Sequence, residues 1–165
     1  MDDHTDSLAP AAASNWKAVQ GATVPWSKQP TAEETMYRQR RFARTAGTRF
    51  ALPPPKEALI EVFSELVPKS RLSVGAKALC KHHARAPNHS FWRQPLGPEA
   101  VKTAMALRHL HEMFEQATWH NVHQLSPSLL VYEMRNPEGY GMRWTLEPVL
   151  AFRGYLEPVG PHTGT

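Results

Sequence analysis

The stretch that decides the fold is residues 129–157, LLVYEMRNPEGYGMRWTLEPVLAFRGYLE. Apolar side chains alternate there with charged or small ones at a period of two. Because successive side chains of a strand point to opposite faces, this alternation predicts strands with one face turned to a core. In the second half of the stretch the apolar positions are Met142, Trp144, Leu146, Pro148, Leu150, Phe152 and Leu156.

Turn residues divide the stretch into two runs. Residues 136–141, Asn-Pro-Glu-Gly-Tyr-Gly, separate Leu129–Arg135 from the run that starts at Met142, and this predicts a β-hairpin. The alternation stays in phase across Pro148. That phase favours one long strand kinked at Pro148 over a tight turn, although the sequence leaves open whether Pro148 separates two strands.

The charged positions of both runs fall on one predicted face of this sheet. They are Glu133, Arg135, Arg143, Glu147, Arg153 and Glu157. Guanidinium groups bind phosphate and carboxylate through paired hydrogen bonds, so the candidate anion site consists of Glu133, Arg135, Arg143 and Arg153. The alternative is a solvent-exposed face with weak cross-strand ion pairs.

Three helices are predicted upstream of the strands. Their apolar stripes run from Lys56 to near Pro68, from Val74 to about Arg85, and from Pro98 to about Thr118. Because these stripes and one sheet face must bury each other, we expect a single α+β domain over residues 53–158. In it about three helices pack on a small antiparallel sheet or hairpin formed by the C-terminal third, and residues 159–165 are a short tail.

Residues 1–52 are predicted to be a disordered or loosely docked, flexible basic arm. Residues 36–56 contain six basic side chains and no acidic one. Aromatic residues are interleaved with the arginines, a combination that binds nucleic-acid phosphates and bases. The alternative is a solvated arm, or a short helix laid on the domain. The arginines concerned are Arg38, Arg40, Arg41 and Arg44.

Two histidines, His120 and His123, follow the longest predicted helix. Three positions apart, they can meet on one helical turn as metal ligands or as an acid–base pair. In an enzyme, His123 or His120 would exchange a proton while Glu133 orients the ring. The alternative is a helix C-terminal cap with a solvated neighbour. A second group, Cys80, His82, His83 and His89, lacks the paired spacing of a zinc site. We therefore predict no metal and no cofactor.

Length and composition limit the class of protein. The chain has 165 residues, of which 41% are hydrophobic, and this suits one domain with a core. No apolar run approaches the roughly 20 residues of a membrane helix. The acidic start is unlike a signal peptide, and Cys80 has no internal partner. We expect an intracellular protein, cytoplasmic or nuclear, with no membrane contact.

Two functional hypotheses follow from these features. The first is a small soluble, non-enzymatic binding module for an anionic partner, with nucleic acid ahead of an acidic protein surface. The alternative is a small enzyme that acts on an anionic substrate at the Arg/His/Glu site of the sheet face. No phosphate-binding glycine loop or nucleophile elbow is present to decide between them. The sequence does not establish the oligomeric state.

Overall fold

A computed structural model describes residues 23–85 and 91–158, which form four helices and four strands. The predicted tail, residues 159–165, and His89 lie outside the described residues. The helices are α1 Ala32–Gln39, α2 Lys56–Ser64, α3 Val74–Arg85 and α4 Glu99–Gln116. The strands are β1 Trp119–Ser126, β2 Leu129–Arg135, β3 Gly141–Glu147 and β4 Ala151–Leu156.

The predicted α+β class is confirmed, because the four strands form one antiparallel sheet in the order β1-β2-β3-β4 and helices α2, α3 and α4 cover its apolar face. The packing is largely aromatic. The ring of Phe63 meets the ring of Phe152 edge-on at 4.7 Å, and Phe114 stacks on Trp144. The indole of Trp144 also donates a hydrogen bond to the carbonyl of Leu59 at 3.1 Å. These contacts attach the helices to β3 and β4.

The helix bounds agree with the apolar stripes at most ends. Ser73 caps α3, since its hydroxyl accepts a hydrogen bond from the amide of Ala76 at 3.0 Å. Helix α2 is shorter than predicted: it ends at Ser64 because Glu65 adopts extended backbone angles and Leu66 forms a β-bridge with Ser73.

The segment that contains the histidine pair is a strand, not a helical turn. Strand β1 pairs with β2 along its length, so His120 lies opposite Met134 and His123 opposite Val131. The strand was not predicted because both faces of β1 carry polar residues, so no apolar–polar alternation marks it. The pairing with β2 and the edge contacts of residues 43–49 hold this segment extended.

Pro148 lies in a turn between two strands, which corrects the expectation of one long kinked strand. Strand β3 ends at Glu147 and β4 begins at Ala151, with a cis peptide bond between Glu147 and Pro148. The apolar–polar alternation did not reveal the turn, because Trp144 and Phe152 face the core both in one long strand and in two strands joined at Pro148. Their direct pairing across the two strands shows that the chain reverses between them.

Residues 23–52 lie against the free edge of β1. The hydroxyl of Tyr37, in α1, accepts a hydrogen bond from the amide of Val122 at 2.7 Å, and the Tyr37 side chain is fully buried. The amides of Ala43 and Arg49 donate to carbonyls of β1. The predicted division of the chain at residue 52 stays a prediction. None of the helices in the described ranges is both long and apolar enough to cross a membrane.

Candidate active site

The carboxylate of Glu133 is the centre of a buried cluster on the sheet face that turns away from the helices. Its Oε1 accepts from Arg135 Nε at 2.6 Å, and its Oε2 accepts from Arg143 Nη2 at 2.9 Å. The Nε2 atom of His123 lies 2.9 Å from the same Oε2. Strands β1, β2 and β3 each contribute to the cluster, and this is the order in which they lie side by side.

Burial and charge set the ionisation of this cluster. Burial by itself raises the pKa of Glu133, but the hydrogen bond from His123 and the charges of Arg143 and Arg135 outweigh burial and lower that pKa to about 2. Burial also lowers the pKa of Arg143, which Glu133 partly restores. Glu133 is therefore a carboxylate at neutral pH and a weak base, which suits an anchor for cations.

The cluster is closed to solvent. The side chains of His123 and Glu133 are 1% and 0% exposed. Arg135 extends the cluster through its Nη1, which donates to the carbonyls of Gly139 at 2.6 Å and Glu157 at 3.0 Å. The arrangement ties β2 to the turn that follows it and to the residue after β4. Such a network holds the backbone of these segments in place, and the burial of His123 and Glu133 leaves a substrate little access to them.

The structure separates the other predicted site residues from this cluster. His120 lies on the opposite face of β1, because positions three apart in a strand point to opposite sides, and its Nδ1 is 2.7 Å from the hydroxyl of Tyr132. Arg153 is exposed on β4, close enough for its charge to lower the pKa of Arg143. Of the arm arginines, Arg38, Arg40 and Arg41 are exposed, and Arg44 pairs with Glu34 at 3.6 Å.

Glu157 does not join the charged sheet face on which the alternation placed it. Its Oε1 lies 2.6 Å from Nε2 of His82 in helix α3, on the side of the sheet that carries the helices. The two side chains are 21% and 19% exposed, so this pair reaches solvent. The pair was not predicted, because His82 and Glu157 are 75 residues apart and no local pattern links them.

A bulge in β4 causes the change of face. Arg143 pairs with Gly154 and Trp144 pairs with Phe152, so β4 has one more residue than β3 at this point. Beyond the bulge the alternation is inverted. Tyr155, two positions before Glu157, is buried in the core, and Glu157 lies on the same helix side of the sheet.

A cavity of about 690 Å³ opens beside His82, between α3, the end of α2 and β4. Among the described residues that line it, four carry a fixed positive charge and one, Glu65, carries a negative charge. The positive groups are Lys77, Lys81, Arg85 and Arg153. The cavity therefore combines His82, which contacts Glu157, with cations that can bind an anion, and proton transfer beside a bound anion is the chemistry that it suits best.

Within the described ranges no group of three or more His, Cys, Asp and Glu side chains is arranged to hold a metal ion. Cys80 is a free thiol and is half-buried in α3. The neighbouring His82 is engaged with Glu157.

The family model described as "CdiA C-terminal tRNase toxin domain" matches residues 64–157. The matched region contains α3, α4 and all four strands, and thus His82, Arg153 and Glu157. It leaves out α1 and nearly all of α2. No curated protein and no solved structure matches the chain.

Proposed function

The chain belongs to the CdiA C-terminal tRNase toxin domain family, and from this premise we propose that it is a ribonuclease whose substrate class is tRNA. The observation that carries the proposal is the solvent-accessible His82–Glu157 pair beside a cationic cavity. Family membership favours the enzyme alternative over the non-enzymatic binding module. The expected reaction site is intracellular, where tRNA is found.

Helix α3 supplies much of the substrate-binding charge in this proposal. Lys77, Lys81 and Arg85 are four positions apart, so they lie along one face of the helix and can follow successive phosphates of an RNA strand. Arg153 faces the cavity from β4. Its guanidinium can bind the phosphate that reacts and stabilise the charge that develops on its oxygens.

His82 is the proposed proton-transfer group. When its Nε2–H is donated to Glu157, its Nδ1 is left to accept a proton. It takes the proton of a ribose 2′-hydroxyl, the 2′ oxygen attacks the adjacent phosphorus, and the bond from phosphorus to the 5′ oxygen breaks. The leaving 5′ oxygen takes a proton from water or from a lysine ammonium. The products are a 2′,3′-cyclic phosphate and a 5′-hydroxyl end.

The Glu133 cluster has a positioning role in this proposal. Arg135 binds both Glu133 and the carbonyl of Glu157, so the buried cluster fixes the backbone from which the Glu157 carboxylate reaches His82. Glu133, Arg135 and Arg143 of the predicted anion site thus lie behind the proposed active site and support it, whereas Arg153 lines the active site itself.

The test is cleavage of purified tRNA by the purified protein, followed on denaturing gels with chemical identification of the new ends. Wild type is expected to give cyclic-phosphate and 5′-hydroxyl ends. His82→Ala should lower the cleavage rate by about 10²–10⁴-fold, the usual contribution of a general acid or base. Arg153→Ala should also lower it, through loss of the phosphate contact.

His111→Ala and Arg108→Ala are the matched controls, because both side chains are exposed on α4. They should cleave as wild type does. Full activity of His82→Ala would contradict the assignment of the site. A wild-type protein that binds tRNA and leaves it intact would contradict the enzyme proposal and restore the binding module.

A further inference from the structure

Three arginines at the end of helix α1 form a positive patch outside the region that the family model matches. We call Arg38, Arg40 and Arg41 the arm surface; all three are exposed. Residues 36–56 contain no acidic side chain, and the nearby Glu34 is already paired with Arg44. Among the described residues no carboxylate forms an ion pair with the arm surface, so its charge is available to a partner.

The arm surface is held in place by its backbone and by neighbouring aromatic rings. The amide of Phe42 donates to the carbonyl of Tyr37 at 2.9 Å, and the ring of Phe42 stacks on His120 of β1. Arg41 has a positive φ of 59°, a conformation that is uncommon outside glycine and needs such surrounding contacts. The three guanidinium groups therefore extend from a fixed base.

The arm surface and the cationic cavity lie at opposite edges of the sheet. The arm lies along β1, whereas the cavity is beside β4, and three strand spacings of about 4.8 Å separate the two edge strands. A folded RNA with a double-helical part is broad enough to contact both.

We propose that the arm surface binds the phosphate backbone of a folded RNA at a distance from the cleaved bond. This inference rests on the proposed function, and it adds a second phosphate-binding surface outside the residues that the family model matches. The arm contributes affinity, while the cavity beside His82 contributes the chemistry.

The first experiment compares wild type with the triple variant R38Q/R40Q/R41Q on two substrates, whole tRNA and a short single-stranded oligonucleotide that contains the cleaved bond. On tRNA the variant should raise KM by about tenfold or more at physiological salt and leave kcat unchanged. The slope of log KM against log salt should fall by about 2 to 3, because roughly 0.7–0.9 counterions are released for each phosphate contact. The oligonucleotide should be cleaved equally by both proteins.

The matched control is K28Q/K69Q/R108Q, which removes the same charge from exposed positions elsewhere. Equal increases in KM for the two triple variants, or no increase for the arm variant, would overturn the inference. In either case, cleavage of tRNA by wild type would still support the proposed function.

The second experiment measures tRNA binding by mobility shift across a salt series, and it does not depend on cleavage. The arm variant should bind more weakly than wild type and the control. If wild type fails to cleave, the proposed function fails, and this binding comparison still decides the role of the arm. Equal affinities of wild type and the arm variant would overturn it.

Discussion

At the scale of single residues, Glu133 shows how a strand pattern locates part of a site. Arg135 is two positions away on the same strand and Arg143 lies directly opposite, so alternation and a hairpin register were enough to bring both to one face with Glu133. His123 could not be assigned in this way. Its strand was not recognised, and only the pairing of β1 with β2 aligns it with the carboxylate.

Replacement of Glu133 by Gln should destabilise the fold at neutral pH. The change leaves the largely buried cations Arg135 and Arg143, whose side chains are 10% and 12% exposed, without their shared anion, which costs up to about 3 kcal/mol. Urea unfolding at pH 7 measures this loss. The exposed Glu115→Gln on α4 is the matched control, and it should differ little from wild type.

The same variant should also change the dependence of stability on pH. In the wild type the pKa of Glu133 is lowered from 4.5 to about 2, so its stabilising contribution is complete above about pH 5 and is lost as the pH falls toward 2. The difference in unfolding free energy between wild type and Glu133→Gln should therefore shrink over that interval. A constant difference from pH 7 to pH 2 would contradict the assigned ionisation.

At the scale of elements, the sequence patterns predicted the three core helices and the hairpin but not the bulge in β4. Apolar stripes and turn residues are local signals, so they are visible in one chain. A bulge is decided by which residue of the partner strand is opposite, and the apolar–polar alternation does not report it. Gly154, a glycine inside a strand pattern with a φ of 150°, is the local sign that the alternation passed over. The missing bulge explains why Glu157 was assigned to the wrong face and why its contact with His82 was not foreseen.

The close approach of α2 and α3 at Gly75 gives a second prediction. A Cβ added to Gly75 would lie 2.3 Å from the ring of Phe63, so Gly75→Ala should destabilise the protein by about 1–3 kcal/mol. In an isolated helix the same change is stabilising by about 1 kcal/mol. Urea unfolding therefore distinguishes packing from helix propensity by the sign of the effect.

A double-mutant cycle with Phe63→Leu tests the cause of that effect. If the ring is the obstacle, Gly75→Ala should cost less when Phe63 is already Leu, and the two changes should not be additive. Additive losses would mean that the contact between Gly75 and Phe63 does not decide the packing of the two helices.

At the scale of the whole molecule, the region matched by the family model and the folded unit are not the same. The matched residues 64–157 hold the whole sheet, but the free edge of β1 is covered by residues that precede them. Composition predicted a basic arm there. It could not reveal that Tyr37 is fully buried or that residues 43–49 bond to β1, because those contacts join positions about 75 to 85 residues apart.

We expect a chain of residues 53–165 to be less stable than one of residues 23–165. The shorter chain loses the Tyr37 hydrogen bond and uncovers amide and carbonyl groups along β1. An uncovered edge strand pairs readily with other chains, so self-association should also increase. Urea midpoints and light scattering measure the two effects. Equal midpoints would mean that the predicted boundary near residue 52 separates an independent domain.

The position of residues 23–52 along β1 limits how this segment can evolve. Mutations in residues 23–52 can alter the arm surface only if they preserve the backbone hydrogen bonds of this segment to β1. The cavity beside β4 takes no part in those hydrogen bonds. With the proposed role of the arm surface, selection can change how strongly RNA is held at one edge of the sheet without changing the groups at the other. A chain that exchanges this segment for an unrelated one must acquire, in the same step, a new partner for its first strand.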